Sequence, residues 1–506
     1  MKRSLSVLAI LTAAVVILYR KSVRLYWTYD DPWFLHVALM RRWTEGFTHA
    51  DIWRQNLFTP LLTSTFELFA ATLWLEPRRW YAAQLVLLVA LAFAVYAALR
   101  VYVDAVPAGA GALLFLIGPP LVNVASHLGV IHYVEALLFL TLSFIAFAKG
   151  RGVLSAFLYL MAMLAKEIAV PFSGLLLLLG GPRRVIPHAI ALAVYAAWRL
   201  LVIGLPVTGY GWEVEARDVL AVPWKLVTLF GALGALLLGV MAVVVARGLK
   251  TRRQWLIGAV GLVLAIAPIL PVSKEMAPRF ALLPWLWLCA GFAFGAASLK
   301  RRELVLGATI VLAVIVNRRL WSEQYTLTKR MSEEARVWVH ERGDILLRNP
   351  AIPAGTMPEL EWLKEDYFPH AEGARWFYDD LYLCTHPLAG RRILEYDPRS
   401  RLVEEVTLDA ERICAAIRED VPMTLAFERR GDAMHWRFGP YTAGTWRLIL
   451  NEGEEAWDVP RESAYRIGTA TRLSLRIGYR SPEGWTTYSP PIALDFARQT
   501  RTTWHR

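Results

Sequence analysis

Apolar runs of about 13–25 residues recur from residue 5 to residue 316, and nothing else in the sequence constrains the fold as strongly. A helix needs roughly 20 such residues to cross the hydrocarbon of a bilayer. The segments lie at about 5–19, 82–103, 108–122, 133–148, 153–165, 168–181, 185–203, 222–246, 255–271, 280–298 and 304–316. Residues 320–506 are polar and mixed. A hydrophobic fraction of 56% is too high for a soluble chain of this length. The pattern predicts a polytopic all-α membrane bundle over 1–319, with about eleven transmembrane helices, followed by a soluble β-rich (α+β) domain over 320–506.

The net charge of +12 comes mainly from arginine, and the charges gather at the ends of apolar segments. That placement is an orientation signal and not a nucleic-acid footprint, so no nucleic-acid partner is expected. "KGRG" (149–152), "GGPRR" (180–184), "RGLKTRR" (247–253) and "LKRR" (299–302) each close an alternate connection. With Met1 inside, about eleven spans put all four clusters on the cytoplasmic side. The start "MKRSLSVLAILTAAVVILY" has no clear small-residue cleavage site after it and reads as an uncleaved helix. If the stretch 60–75 also spanned, all four clusters would face outward. It therefore reads as interfacial or re-entrant, with Glu67 in water, inside a first outer loop covering 20–80. The same parity breaks 153–181 into two short helices at Lys166-Glu167, which places those charges in a protein-lined or aqueous cavity.

This folding gathers ionisable groups on the outer face: Asp30 and Asp31, His127 and His132, Lys166 and Glu167, Glu213 and Glu215, and "SKEMAPR" (273–279) with Lys274. Each has an ordinary reading. Asp31-Pro32 suits a helix N-cap followed by proline at the first helical position. His132 and Glu135 share a helical face and suit a hydrogen-bonded pair. Lys166 with Glu167 suits a charge pair at a helix break, and Arg279 suits a headgroup anchor.

Their order says more than any one of them. An acidic pair follows the first span. Then come "TPLL" (59–62), the H-x-x-E of "HYVEA" (132–136), "LAKE" (164–167) and "RFALLP" (279–284). This order resembles the GT-C superfamily of integral-membrane glycosyltransferases, closest to bacterial relatives of the protein O-mannosyltransferases and of the transmembrane, tetratricopeptide-containing mannosyltransferases. The likeness covers roughly residues 1–320. It implies a sugar donor on a polyprenyl or dolichyl phosphate and inverting transfer on the non-cytoplasmic side of a multi-pass membrane protein, here the bacterial inner membrane, with the C-terminal domain extracytoplasmic. Carried over by residue, Asp30 becomes the catalytic base with Asp31 assisting or capping. Glu135 matches the acidic residue of the second outer loop. Lys166 and Arg279 match basic residues near the donor phosphate. The family often has Arg or Lys before the Pro-Leu segment, where this chain has Thr59; Arg54 stands in as the replacement. His132, Glu167 and Lys274 complete the expected site. No tetratricopeptide period follows, so the partner-binding arm of that subgroup is missing.

The residue types also suit the chemistry directly. A carboxylate takes the proton of an attacking hydroxyl on a lipid, glycan or protein acceptor. Fixed cations hold the departing lipid phosphate, and a divalent cation (Mg2+ or Mn2+) on Asp30 or Glu135 could help. The alternative function is transport or flipping of a lipid-linked glycan. Transporters often carry matching broken helices in two halves, and the break at Lys166-Glu167 has no counterpart in the second half. In the soluble part, "RRILEYD", "RLVEEVTL", "MTLAFER", "AMHWRFG", "TWRLILN" and "RLSLRIGY" read as short strands of a sandwich-like domain, and "LDAERICAAIRED" as a helix. Trp436, Trp446 and Trp485 sit in the core or stack on sugar. Cys384 and Cys414 either pair or stay free.

Overall fold

Fifteen helices carry the N-terminal part of the computed structural model, which describes residues 2–53, 57–204, 216–272, 276–341, 343–353, 356–367, 375–388, 390–431, 433–467, 472–498 and 500–506. In chain order they are α1 (Lys2–Tyr19), α2 (Asp31–Met40), α3 (Pro60–Leu73), α4 (Pro77–Leu99), α5 (Ala105–Leu116), α6 (Pro119–Ala125), α7 (Ile131–Ala148) and α8 (Gly152–Ala165). They continue with α9 (Phe172–Gly180), α10 (Pro182–Ile203), α11 (Ala216–Thr228), α12 (Gly231–Gly248), α13 (Arg252–Ile266), α14 (Leu282–Ala297) and α15 (Arg302–His340). Eight helical stretches are long and apolar enough to cross a membrane, or nine if α5 and α6, bent by 54°, form one span. Ile190, Leu201 and Val263 stand exposed on these helices, apolar surface of the kind a bilayer covers.

Individual helices differ from the apolar segments for local reasons. α8 stops at Ala165 because Lys166 adopts an extended backbone (φ −160°), and its 14 residues reach only about 21 Å. α9 begins after Pro171 and is shorter still. The stretch 222–246 is divided by Gly231, whose φ of +69° leaves the helical region, into α11 and α12. Residues 60–73 do form the separate helix α3, but Glu67 is not in open water: its Oε2 is buried. α15 runs on well past the expected end at 316, since no Gly or Pro interrupts 317–340.

The chain divides into two compact units, Met1–Ser332 and Glu333–Arg506. Within the first, α7 packs between α4 and α8, and α14 between α12 and α5. At the last turns of α12 and α14 the backbones touch. A Cβ on Gly248 would lie 2.1 Å from Gly295 Cα, so only glycine fits there.

The second unit contains a mixed sheet in the order β2-β1-β3-β4, built from β1 (Ile345–Arg348), β2 (Arg375–Phe377), β3 (Arg392–Asp397) and β4 (Leu402–Glu405). β1 runs parallel to β2 and β3, while β3 and β4 are antiparallel. α16 (Met357–Tyr367) and α17 (Leu381–Thr385) lie between these strands in sequence, and α18 (Ala410–Ala415) follows them. Two antiparallel sheets then form a sandwich. One contains β5 (Thr424–Arg430), β6 (Ala433–Gly439), β9 (Glu462–Arg466) and β13 (Arg501–His505) in the order β13-β5-β6-β9. The other runs β11-β10-β7-β8, with β12 also on β10: β7 (Thr445–Leu450), β8 (Glu455–Val459), β10 (Arg472–Arg480), β11 (Thr486–Tyr488) and β12 (Ile492–Asp495). Trp436 and Trp446 are sealed in its core and offer no face to a sugar. Trp485 is half-buried, with the Arg418 guanidinium 5.1 Å over its ring. Cys384 and Cys414 are joined in a disulfide between α17 and α18.

Candidate functional site

The two aspartates of "WTYDDPWF" part company in space. Tyr29 has φ +52°, a left-handed conformation that a bulky residue adopts only under constraint. It turns the chain into α2, so that Asp30 is exposed and Asp31 is wholly buried. Asp31 Oδ2 accepts a hydrogen bond from Thr28 N (2.9 Å), and Oδ1 accepts one from Gly129 N (2.5 Å). Asp31 thus clamps the loop before α7 onto the start of α2. Burial pushes its carboxyl up to about 8, against the pull of these N–H donors, and the charge of Asp30 adds to the rise.

Gly129 is required for that close approach. A Cβ there would lie 3.1 Å from both Asp31 Oδ1 and His127 Nε2. His127 Nε2 is itself 3.4 Å from Asp31 Oδ1, and its ring lies 4.7 Å from that of Tyr29. Burial, reinforced by the charge of Arg279, holds this imidazole well below its ordinary pKa.

The second cluster is built on the α8 break. Because the backbone opens at Lys166, its side chain is buried with the ammonium 3.3 Å from Glu167 Oε2 and 5.3 Å over the Tyr133 ring. Glu167 Oε1 accepts from Phe58 N (3.0 Å), which ties the first outer loop to the break. Arg279, in the 3-10 turn before α14, is half-buried and donates to Asn123 Oδ1 (3.5 Å). His132 is buried on the first turn of α7, within the electrostatic reach of Lys166, Arg279 and His127. One turn along, the buried Glu135 accepts a short hydrogen bond from Thr65 of α3 (2.5 Å).

The first unit therefore brings Asp31, His127, His132, Lys166 and Arg279 into one neighbourhood, with Asp30 beside Asp31 and Glu135 one turn from His132. Arg54, Lys274, Glu213 and Glu215 lie outside the described residues. Among the described residues no group of three or more His, Cys, Asp or Glu side chains is placed to hold a metal ion. The sequence reading assigned no role to Gly129, Thr65, Asn123 or Phe58, and His127 entered only as an outer-loop residue. Their partners lie far away along the chain, 98 residues for Gly129 and 109 for Phe58, and no local spacing announces them.

The chain matches no protein-family model and no curated protein.

Proposed function

We propose that the protein is an inverting glycosyltransferase that moves a sugar from a polyprenyl-phosphate carrier to a hydroxyl acceptor at the extracytoplasmic face of a membrane. The observation that carries this reading is an exposed carboxylate, Asp30, next to the buried Asp31–His127 contact, with Lys166 and Arg279 in electrostatic reach of His132 close by. The acceptor O–H loses its proton to Asp30 while its oxygen attacks the anomeric carbon. The anomeric carbon–phosphate bond breaks, and its electron pair leaves with the lipid phosphate. Lys166 and Arg279 offset the charge that grows on that phosphate in a site shielded from water. Asp31 takes no part in proton transfer: it is sealed from any acceptor and fixes the position of its neighbour.

The disulfide Cys384–Cys414 supports an extracytoplasmic second unit, since such bonds persist on the oxidising side of a membrane. With that unit outside, the basic clusters at 149–152, 180–184, 247–253 and 299–302 face the cytoplasm, as does the N-terminus. The bacterial inner membrane is the setting that suits this arrangement.

The test supplies polyprenyl-phosphate sugars and hydroxyl acceptors to the purified chain, to Asp30→Asn and to Glu135→Gln. Loss of about 10²–10⁴-fold in sugar transfer is expected for Asp30→Asn, the scale of general-base catalysis. Undiminished transfer in that variant removes the base. Translocation of the intact glycolipid without bond cleavage overturns the glycosyltransferase reading.

A further inference from the structure

A cavity of about 860 Å3 opens among α4, α7, α9, α13 and α14 of the first unit. Small residues are part of its lining: Gly258, Gly261 and Ala265 of α13, and Ala290 and Gly291 of α14. Trp287 forms one wall, pinned by its indole N–H to Gly258 O (3.0 Å) and packed so closely on Gly261 that a Cβ there would lie 2.1 Å from the ring. The lining is apolar except for Thr141, whose hydroxyl is spent on Leu137 O, and for Tyr102, Thr251, Arg253 and Gln254.

Those last four gather at one end. α12 meets α14 at Gly248 and Gly295, which puts the following residues 249–254 beside the last turn of α14. The final turn of α4 is there too: a Cβ on Gly111 would touch both Leu99 and Cys289 O. Arg279 precedes the first turn of α14, about 20 Å away along that helix. The groove is thus polar at the end remote from the proposed catalytic cluster. Its lining on α13 runs from Arg253 to Ala265, about 18 Å at 1.5 Å per residue. One leaflet of a roughly 30 Å hydrocarbon core is about 15 Å deep. The groove therefore matches a single leaflet.

Its mouth is strongly basic. Arg247, Lys250, Arg252 and Arg253 fall within one short connection, and all four are exposed. Thr251 and Gln254 are occupied in a capping box at the start of α13, so the cations are the groups left to meet a headgroup. Basic pockets between spanning helices attract the phosphates of anionic lipids.

We propose that this groove holds one anionic glycerophospholipid as a resident ligand, with acyl chain against α13 and α14 and phosphate at Arg253 and its basic neighbours. The site is separate from the glycosyl-transfer reading. The donor of that reading has its phosphate at Lys166 and Arg279, at the other end of α14.

The experiment reads bound lipid and not activity. The full chain is exchanged into mixed micelles containing equal amounts of phosphatidylglycerol and phosphatidylcholine, and retained lipid is counted by native mass spectrometry. About one phosphatidylglycerol per chain is expected. Arg253→Glu, a change at an exposed residue, should weaken its retention at least about fivefold, the factor for one basic residue near an anionic lipid. Ala290→Phe with Ala259→Phe, which fills the groove, should abolish it, and a melting curve checks that both variants fold. The proposal is overturned by no retained lipid in the native chain, by equal retention of both lipids, by unchanged retention in either variant, or by a polyprenyl phosphate at equal concentration displacing the phospholipid.

Discussion

Replacing Asp31 by alanine separates the buried, structural aspartate from the one proposed as the base. The carboxyl accepts from Thr28 N and Gly129 N in a fully buried setting. Its removal leaves two N–H groups without acceptors. A buried unpaired donor costs about 1–3 kcal/mol, so the loss should reach about 2–6 kcal/mol. Asp30→Asn is the control. That side chain is exposed, and surface changes of this kind shift stability by only about 0.5 kcal/mol. Thermal melting followed by tryptophan fluorescence, run beside a transfer assay at a temperature where both variants remain folded, gives the comparison. The expected outcome is a large drop in melting temperature for Asp31→Ala with measurable residual turnover, and an unchanged melt with turnover lost for Asp30→Asn. An unchanged melt in Asp31→Ala refutes the clamp. Equal destabilisation by the two variants refutes the division of roles.

The pH dependence follows from the same residues. The Asp31 carboxyl, raised to about 8, keeps its proton in the native state where the unfolded chain has lost it, so its contribution to stability disappears as pH rises toward 8. His127 is held low, and its contribution is present above about 6.5 and lost as pH falls below that value. Of these two groups only the aspartate acts between pH 6.5 and 8, so its share of the stability declines there, and the fall in melting temperature across that window should be shallower in Asp31→Asn. Gly248→Leu drives a side chain into the Gly295 backbone and should prevent stable packing of α12 on α14, read as aggregation on size-exclusion chromatography. Cys384→Ser opens the covalent loop of the second unit and should lower its unfolding free energy by roughly 3–4 kcal/mol in denaturant titration.

How far the sequence could be read depends on the range of the physics involved. Hydrocarbon imposes a length on every spanning helix, so the apolar runs marked most of the helices directly. The break at Lys166-Glu167 was legible because basic clusters at both ends of 153–181 belong on one side, and the extended backbone at Lys166 interrupts the helix there. Period-two alternation marked β3, β5, β6, β7 and β10 in much the same way. Gly231 was harder to read, since a glycine inside an apolar run continues a helix as readily as it ends one.

By itself, then, the sequence determined a part with helices long and apolar enough to cross a membrane, a β-rich remainder and the identity of the charged groups available to a site, because these depend on local periodicity and on the cost of burying charge. The tertiary structure alone decided which aspartate is buried, that Gly129 makes room for it beside His127, and that the two distant cysteines meet. Those outcomes rest on contacts between segments 30 to 98 residues apart. Contacts of that range follow from how the whole chain packs, and no short stretch of residues encodes them.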